Sequence, residues 1–289
     1  MGSEMCIRDR YGMVVLLAMA LSAETVAAEQ ATVASTAAVE PLPAEPVPPI
    51  VVNPNRPTFA SPALTTQPGV AEIEWGLQQS FLRAGGRAFS TPTLLKLGLE
   101  KDFELRLSTN GFLDLANAGG ASAVGMADMA LGAQWCFTHH GLLGADWAIQ
   151  LTHKFATASA RRGLGSGVAD TTLGLFMSRD FGPNHVDVNF YDTWLGLPSA
   201  NGGGSTHQPV GAVSVSHKLG DTWSFGGELY GIGGTALNGR VVSNLWYVAY
   251  QPSSRVVLDS GVDIGLSHGA QHCSIFAGLT WGIGRFRKP

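Results

Sequence analysis

The chain has 289 residues, enough for one large β domain or two ordinary ones. Only 14% of its residues are charged, 45% are hydrophobic and 37 are glycine, whereas a soluble domain carries about a quarter charged residues. The net charge of −4 comes with no basic patch, which argues against nucleic acid as a partner. Beyond the N-terminus no apolar run approaches the roughly 18 residues of a spanning helix. Two classes remain: a soluble all-β protein, or a membrane barrel whose apolar residues are spread singly along its strands.

Residues 2–10, GSEMCIRDR, resemble the read-through of a transposase sequencing adapter, and residues 1–10 are set aside as an artefact; the alternative is a genuine basic leader region using Arg8 and Arg10. Residues 11–28 carry an apolar stretch followed by Val26-Ala27-Ala28, the pattern of a cleaved secretory signal. Residues 29–69 are rich in Ala, Thr and Pro and lack any period, so they are expected to form a disordered periplasmic segment, with a tether or plug as the functional alternative. Cys136 and Cys273 follow the leader and are expected as free thiols near opposite ends of the fold.

Residues 70–287 read as a transmembrane, antiparallel, up-and-down β-barrel of about twelve strands. The pattern is clearest in GMADMALGAQWCF and its echo GVADTTLGLFM, which share Gly-x-Ala-Asp-x-x-Leu-Gly and run on with every second residue apolar. In the first strand Ile73, Trp75, Leu77 and Phe81 oppose Glu72, Glu74, Gln78 and Ser80. The same alternation recurs in each later segment and is weakest at residues 241–251, where Leu245 and Tyr247 oppose Trp246 and Val248. Short turns at residues 101–102, 138–141, 182–184, 220–221 and 252–254 alternate with Gly/Ser/Asn-rich loops at 82–90, 114–122, 157–166, 198–207 and 233–240. Short inner turns and long outer loops are the outer-membrane pattern.

Aromatic residues collect at strand ends. Phe103, Trp135, Phe137, Trp147, Phe181, Trp223, Tyr250 and Phe286 fall near the periplasmic side, and Phe81, Phe112, Phe155 and Trp194 near the outer side, as in interfacial girdles. The polar parity places Glu72, Glu74, Glu104, Asp128, Asp146, Asp170, Asp187, Glu228, Asp259 and Asp263 inside, against Lys96, Arg106, Lys154 and Lys218. Buried charges need partners. The plain expectation is therefore an internal ion-pair network, and the sharper one is a water-filled passage with an acidic bias. Asp128 and Asp170 are expected to pair with Arg106 and Lys154.

No metal spacing and no cofactor motif is present: His139-His140, His153, His207, His217 and His268 are scattered. An enzyme built on Ser214, Ser216 and His217 is disfavoured, because Ser216 and His217 are strand neighbours that point to opposite faces. Arg83, Arg87, Arg161, Arg162 and Arg240 in the outer loops could meet lipopolysaccharide phosphates or remain solvated.

The two Gly-x-Ala-Asp-x-x-Leu-Gly strands, Asn55-Arg56-Pro57, and Leu258-Asp259-Ser260-Gly261 before Gly278-Leu279 together resemble the transporter-like outer-membrane proteins grouped as the MetA-pathway phenol-degradation family. The resemblance spans residues 55–286. It implies an outer-membrane barrel taking up hydrophobic or aromatic compounds, with outer-membrane lipid, a small solute and the barrel-assembly machinery as partners. Outer-membrane barrels commonly end in an aromatic residue that this machinery reads; here Phe286 is followed by Arg287-Lys288-Pro289, so either Phe286 serves that role or the C-terminus is altered. A twelve-stranded barrel is too narrow for a wide aqueous pore unless its lumen is sparsely filled, so slow passive uptake is expected. The alternatives are a structural or adhesion barrel with a plugged lumen and, further off, a lipid-modifying enzyme.

Overall fold

The computed structural model describes residues 47–235 and 239–287. The adapter-like residues, the leader and residues 29–46 lie outside the described residues. Fifteen strands succeed one another: β1 (Val70–Phe81), β2 (Gly86–Ser90), β3 (Thr93–Glu100), β4 (Phe103–Thr109), β5 (Phe112–Asn117), β6 (Ser122–Met126), β7 (Met129–Thr138), β8 (Asp146–Phe155), β9 (Asp170–Phe181), β10 (Asn184–Gly196), β11 (Ser205–Leu219), β12 (Trp223–Ile232), β13 (Val241–Ser253), β14 (Val256–Gly265) and β15 (Cys273–Arg285). All pairings are antiparallel, and β1 pairs β15 along its whole length, closing the sheet on itself. Closure through β1 and β15 removes the edges of the barrel wall, as a sheet in lipid requires, and among the described strands leaves only β6, which pairs with β5 alone, with an unpaired side.

Fifteen strands make twelve ribbons, because three ribbons are each broken once. The breaks fall at Thr91-Pro92 between β2 and β3, Asn110-Gly111 between β4 and β5, and Ala127-Asp128 between β6 and β7. Pro92 has no N–H to give to a ladder. Gly111 has φ +66°, and a Cβ there would overlap the Thr91 carbonyl, so a side chain is excluded. Hydrogen bonds bridge the breaks, from Gly76 N–H to Pro92 O (2.9 Å), Thr91 N–H to Asn110 O (3.1 Å) and Ala127 N–H to Gly111 O (2.8 Å), so the wall stays continuous.

The connections differ from the expected alternation in three places. Residues 82–90 and 114–122, read as long loops, form the hairpins β1–β2 and β5–β6 around short turns. Positive φ at Gly85, Gly86 and Gly120 supplies those turns. The short turn read at residues 138–141 is part of a longer connection, residues 139–145, that holds a 3-10 turn at Leu142–Gly144. Elsewhere the end of the barrel near residues 101, 182, 220 and 254 carries tight turns, here called the turn end. The opposite, loop end carries residues 156–169, 197–204, 233–235, 239–240 and 266–272.

The barrel is inside-out relative to a soluble domain. Among its largest fully buried side chains are Lys96, Gln134, Glu72, Glu74, Glu104 and Glu228. Leu151, Leu175, Phe190, Phe225, Leu229, Trp246, Ile275 and Trp281 are exposed on the outer face. Exposed apolar area of this extent marks a surface made for something other than water. The ring residues obey the same division. Phe81, Phe112, Trp135, Phe137, Phe155, Phe181, Trp194, Trp223 and Phe286 are exposed, and Phe103, Trp147 and Tyr250 half-buried. Cys136 and Cys273 are free thiols, one near the turn end of β7 and the other opening β15 at the loop end.

Candidate functional site

Residues 53–66 run inside the barrel. Composition alone suggests an unstructured tail here; the described part of that segment, residues 47–69, instead holds defined positions against the wall. Prolines 54, 57 and 62 keep it extended and without internal ladder bonds. Its backbone N–H groups therefore need outside acceptors, and the inward side chains supply them. Asn55 N–H and Arg56 N–H donate to the two oxygens of Glu74 (2.8 and 2.9 Å). At the deepest point Phe59 N–H and Ala60 N–H donate to the two oxygens of Glu228 (2.7 and 2.5 Å). Ser61 exchanges two hydrogen bonds with the Asn189 amide (2.5 and 2.9 Å), and Ala63 N–H donates to Ser178 Oγ (2.7 Å). Gln134 Nε2 donates to Pro62 O (2.9 Å), and Thr66 N–H donates to Glu104 Oε2 (2.7 Å) before the chain enters β1. Carboxylate acceptors make these bonds stronger than neutral ones.

Two cation clusters fix this strap to the wall. Lys96, fully buried, sits between Glu72 (3.0 Å) and Glu74 (2.8 Å) and donates to Asn53 O and to Asn55 Oδ1 (3.1 Å). Arg56 reaches across to Asp259, Nη2 to Oδ1 at 3.0 Å and Nε to Oδ2 at 3.2 Å. Its guanidinium lies over Gly76 and Gly278, which are direct register partners on β1 and β15, and a Cβ on either would overlap it. The strap also passes over Gly98 and Gly282 where a side chain would block it. Asn55-Arg56-Pro57, Asp259 and Gly278, far apart in the chain, thus meet at one point.

The two Gly-x-Ala-Asp copies meet at another. Lys154 lies 2.6 Å from Asp170 and 3.5 Å from Asp128. Asp128 Oδ1 also accepts from Ala158 N–H, and Asp170 Oδ1 from Gly196 N–H, each at 2.8 Å. Each aspartate thereby ties the loop-end start of its own strand to the end of the neighbouring one. Arg106, expected beside Asp128, binds Glu104 (2.7 Å) and Gln134 Oε1 (2.9 Å) instead. The register explains this: Arg106 faces Gly132 and Glu104 faces Gln134, while Asp128 lies four residues further along, about 13 Å away at strand rise.

The strap divides the lumen. A cavity of about 860 Å³ lies on the loop-end side, bordered by Ser108, Asn110, Asp128, Lys154, Asp263 and Gln271 among others. One of about 480 Å³ lies on the turn-end side, bordered by His185, Asp187, Lys218, Asp221 and Tyr247 among others. Arg56, Pro57 and Thr58 border both. That tripeptide step is where the two cavities approach each other.

The remaining inward candidates are spread along the lumen. Asp187 accepts from Ser178 Oγ (2.5 Å) and lies 3.0 Å from His185 Nε2. Asp263 accepts from Tyr230 OH (2.6 Å) and Gln271 Nε2 (2.8 Å). Asp146 sits at the turn end, where it accepts from His140 N–H (3.0 Å), and Lys218 borders the turn-end cavity. His217 leans on Phe225 with its ring centroid 5.5 Å away and faces Asn184 Oδ1, while Ser216 borders the same cavity. Alternation places Asn189 and Ser178 on the polar face without marking them as candidates, and it gives no sign of the backbone of the strap. Its available signal is the run of inward positions occupied by glycine, which leaves room for a second chain.

No protein-family model and no curated protein matches the sequence. Solved structures do. The COG4313 outer membrane channel from Pseudomonas putida F1 matches at TM-score 0.59 and 11% identity, over 76% of this chain and 97% of that one. The NanC porin matches at 0.52 and 9% identity, over 74% and 100%. The KdgM porin matches at 0.50 and 8% identity, over 74% and 99%. The fold is that of the outer-membrane channel barrels. At these identities the likeness carries architecture alone, and activity is a matter for the chemistry of the lumen.

Proposed function

We propose that this barrel is an outer-membrane channel for slow, passive entry of a small solute, narrowed by its own residues 53–66. The observation that carries the reading is that cavities of about 860 and 480 Å³ approach each other from opposite ends and meet at Arg56-Pro57-Thr58. A barrel kept only for structure gains nothing from polar space on both sides of a thin partition. The outward apolar face supports a lipid setting and the interfacial rings fix its level. The turn end then faces the periplasm, and the loop arginines face lipopolysaccharide. The resemblance to the phenol-degradation family adds a hydrophobic or aromatic solute.

Planar-bilayer conductance tests the reading. The wild-type protein should pass a small current, and Arg56→Ala should raise it several-fold by removing the side chain that spans from strap to Asp259. Silence from both in every salt, with the fold intact, would replace this proposal by the structural barrel. The strap's hydrogen bonds along its whole length are the observation that favours that second reading.

A further inference from the structure

We infer that the loop-end cavity holds a subsite for a small organic ammonium ion carrying an aromatic ring, centred on Asp263. The inference rests on the channel reading for access to the cavity and adds the solute's chemical class.

Asp263 is 4% exposed and borders the cavity. One carboxylate oxygen, Oδ2, accepts from Tyr230 OH and Gln271 Nε2. The other, Oδ1, is buried and accepts no hydrogen bond. The Ser243 hydroxyl, on the neighbouring strand, lies close enough to act on this carboxylate as a donor, but it is neutral and supplies no counter-charge. Among the described residues no Lys, Arg or His forms an ion pair with Asp263. The cations that border the cavity are committed elsewhere: Arg56 to Asp259, Arg106 to Glu104, and Lys154 to Asp128 and Asp170. A buried carboxylate held only by neutral donors, with no counter-ion, is costly unless a cation arrives.

The surroundings select which cation. Phe59, at the top of the strap, stacks on Tyr230 with centroids 5.0 Å apart and planes 8° from parallel, yet remains 40% exposed. Its free face borders the same cavity, as do Leu245 and Phe276. A ring face attracts an ammonium group and also packs against another ring. A metal ion would need several oxygen ligands. Here a single carboxylate stands beside the neutral polar groups of Gln271 and Ser274 and the rings of Phe59 and Phe276, which fits an ammonium group on an organic body.

Titration calorimetry on the full chain in lipid nanodiscs provides the test, with phenethylammonium, phenethyl alcohol and hydrocinnamate as probes. The ammonium should bind, the alcohol about tenfold more weakly, and the carboxylate not measurably. Asp263→Asn keeps an acceptor for Tyr230 and should weaken the ammonium to the level of the alcohol. Phe59→Leu, which leaves every charge in place, should weaken it about threefold and keeps the test decisive if the first variant misfolds. Equal binding of ammonium and alcohol, or undiminished binding by Asp263→Asn, overturns the subsite. Wild-type conductance without ammonium binding overturns the subsite alone, whereas ammonium binding without conductance overturns only the channel reading.

Discussion

The two walls that grip the strap are built differently. On β1, β3 and β4 the acids Glu72, Glu74 and Glu104 face Lys96 and Arg106 from the same wall, so that side is charge-paired before the strap is counted. On β12 and β14, Glu228 and Asp263 form no ion pair with any described residue, and Asp259 takes its cation from the strap itself. One wall is therefore a finished surface on which the strap rests. The other is complete only with the strap in place. Removing the strap would take from Asp259 and Glu228 the donors they now have and leave water to replace them.

Breaking the finished wall should have the largest effect. Lys96→Met keeps the length of the side chain and leaves Glu72 and Glu74 unpaired, both fully buried. A loss of about 3–5 kcal/mol is expected, read as a lower unfolding temperature of the detergent-solubilised barrel. A melting curve indistinguishable from the wild type would show that this wall does not depend on its charges. Breaking the dependent wall should cost less and change conductance more. Gly278→Val places a branched side chain where the Arg56 guanidinium lies. Expelling it should cost about 1–3 kcal/mol and reproduce the current increase of Arg56→Ala. An unchanged current would mean that the step at residues 56–58 is not where passage is limited.

The same contrast explains what the sequence discloses and what it hides. Alternation such as Val186-Asp187-Val188-Asn189 exposes a strand's two faces, because the period of two is a local property. The aspartates of the repeated motif and Lys154 are legible as partners since they share parity on adjacent ribbons. Arg106 goes to a different partner from the one expected because parity does not give register: Arg106 faces Gly132, four residues along the strand from Asp128. The strap is hidden for a further reason. Its bonds use backbone N–H groups, which every non-proline residue carries, so no side-chain pattern advertises them. The inward glycines at 76, 98, 278 and 282 do carry the information, as gaps in the polar face, but a gap reads the same whether it is filled by water or by chain.

The smallest effect tests whether the loop-end clamp belongs to either wall. Asp128→Ala removes a 3.5 Å contact with Lys154 and the acceptor for Ala158 N–H, but leaves Lys154 with Asp170 at 2.6 Å. Asp170→Ala removes the shorter ion pair and the acceptor for Gly196 N–H. Both should lower the melting temperature, Asp128→Ala by the equivalent of roughly 1 kcal/mol and Asp170→Ala by more. Neither should alter the current through the step at Arg56, since neither residue touches the strap. If Asp128→Ala melts like the wild type, the conspicuous aspartate of the first motif copy serves only to shape residues 156–169, and the ion pair that matters at this end is the single one between Lys154 and Asp170.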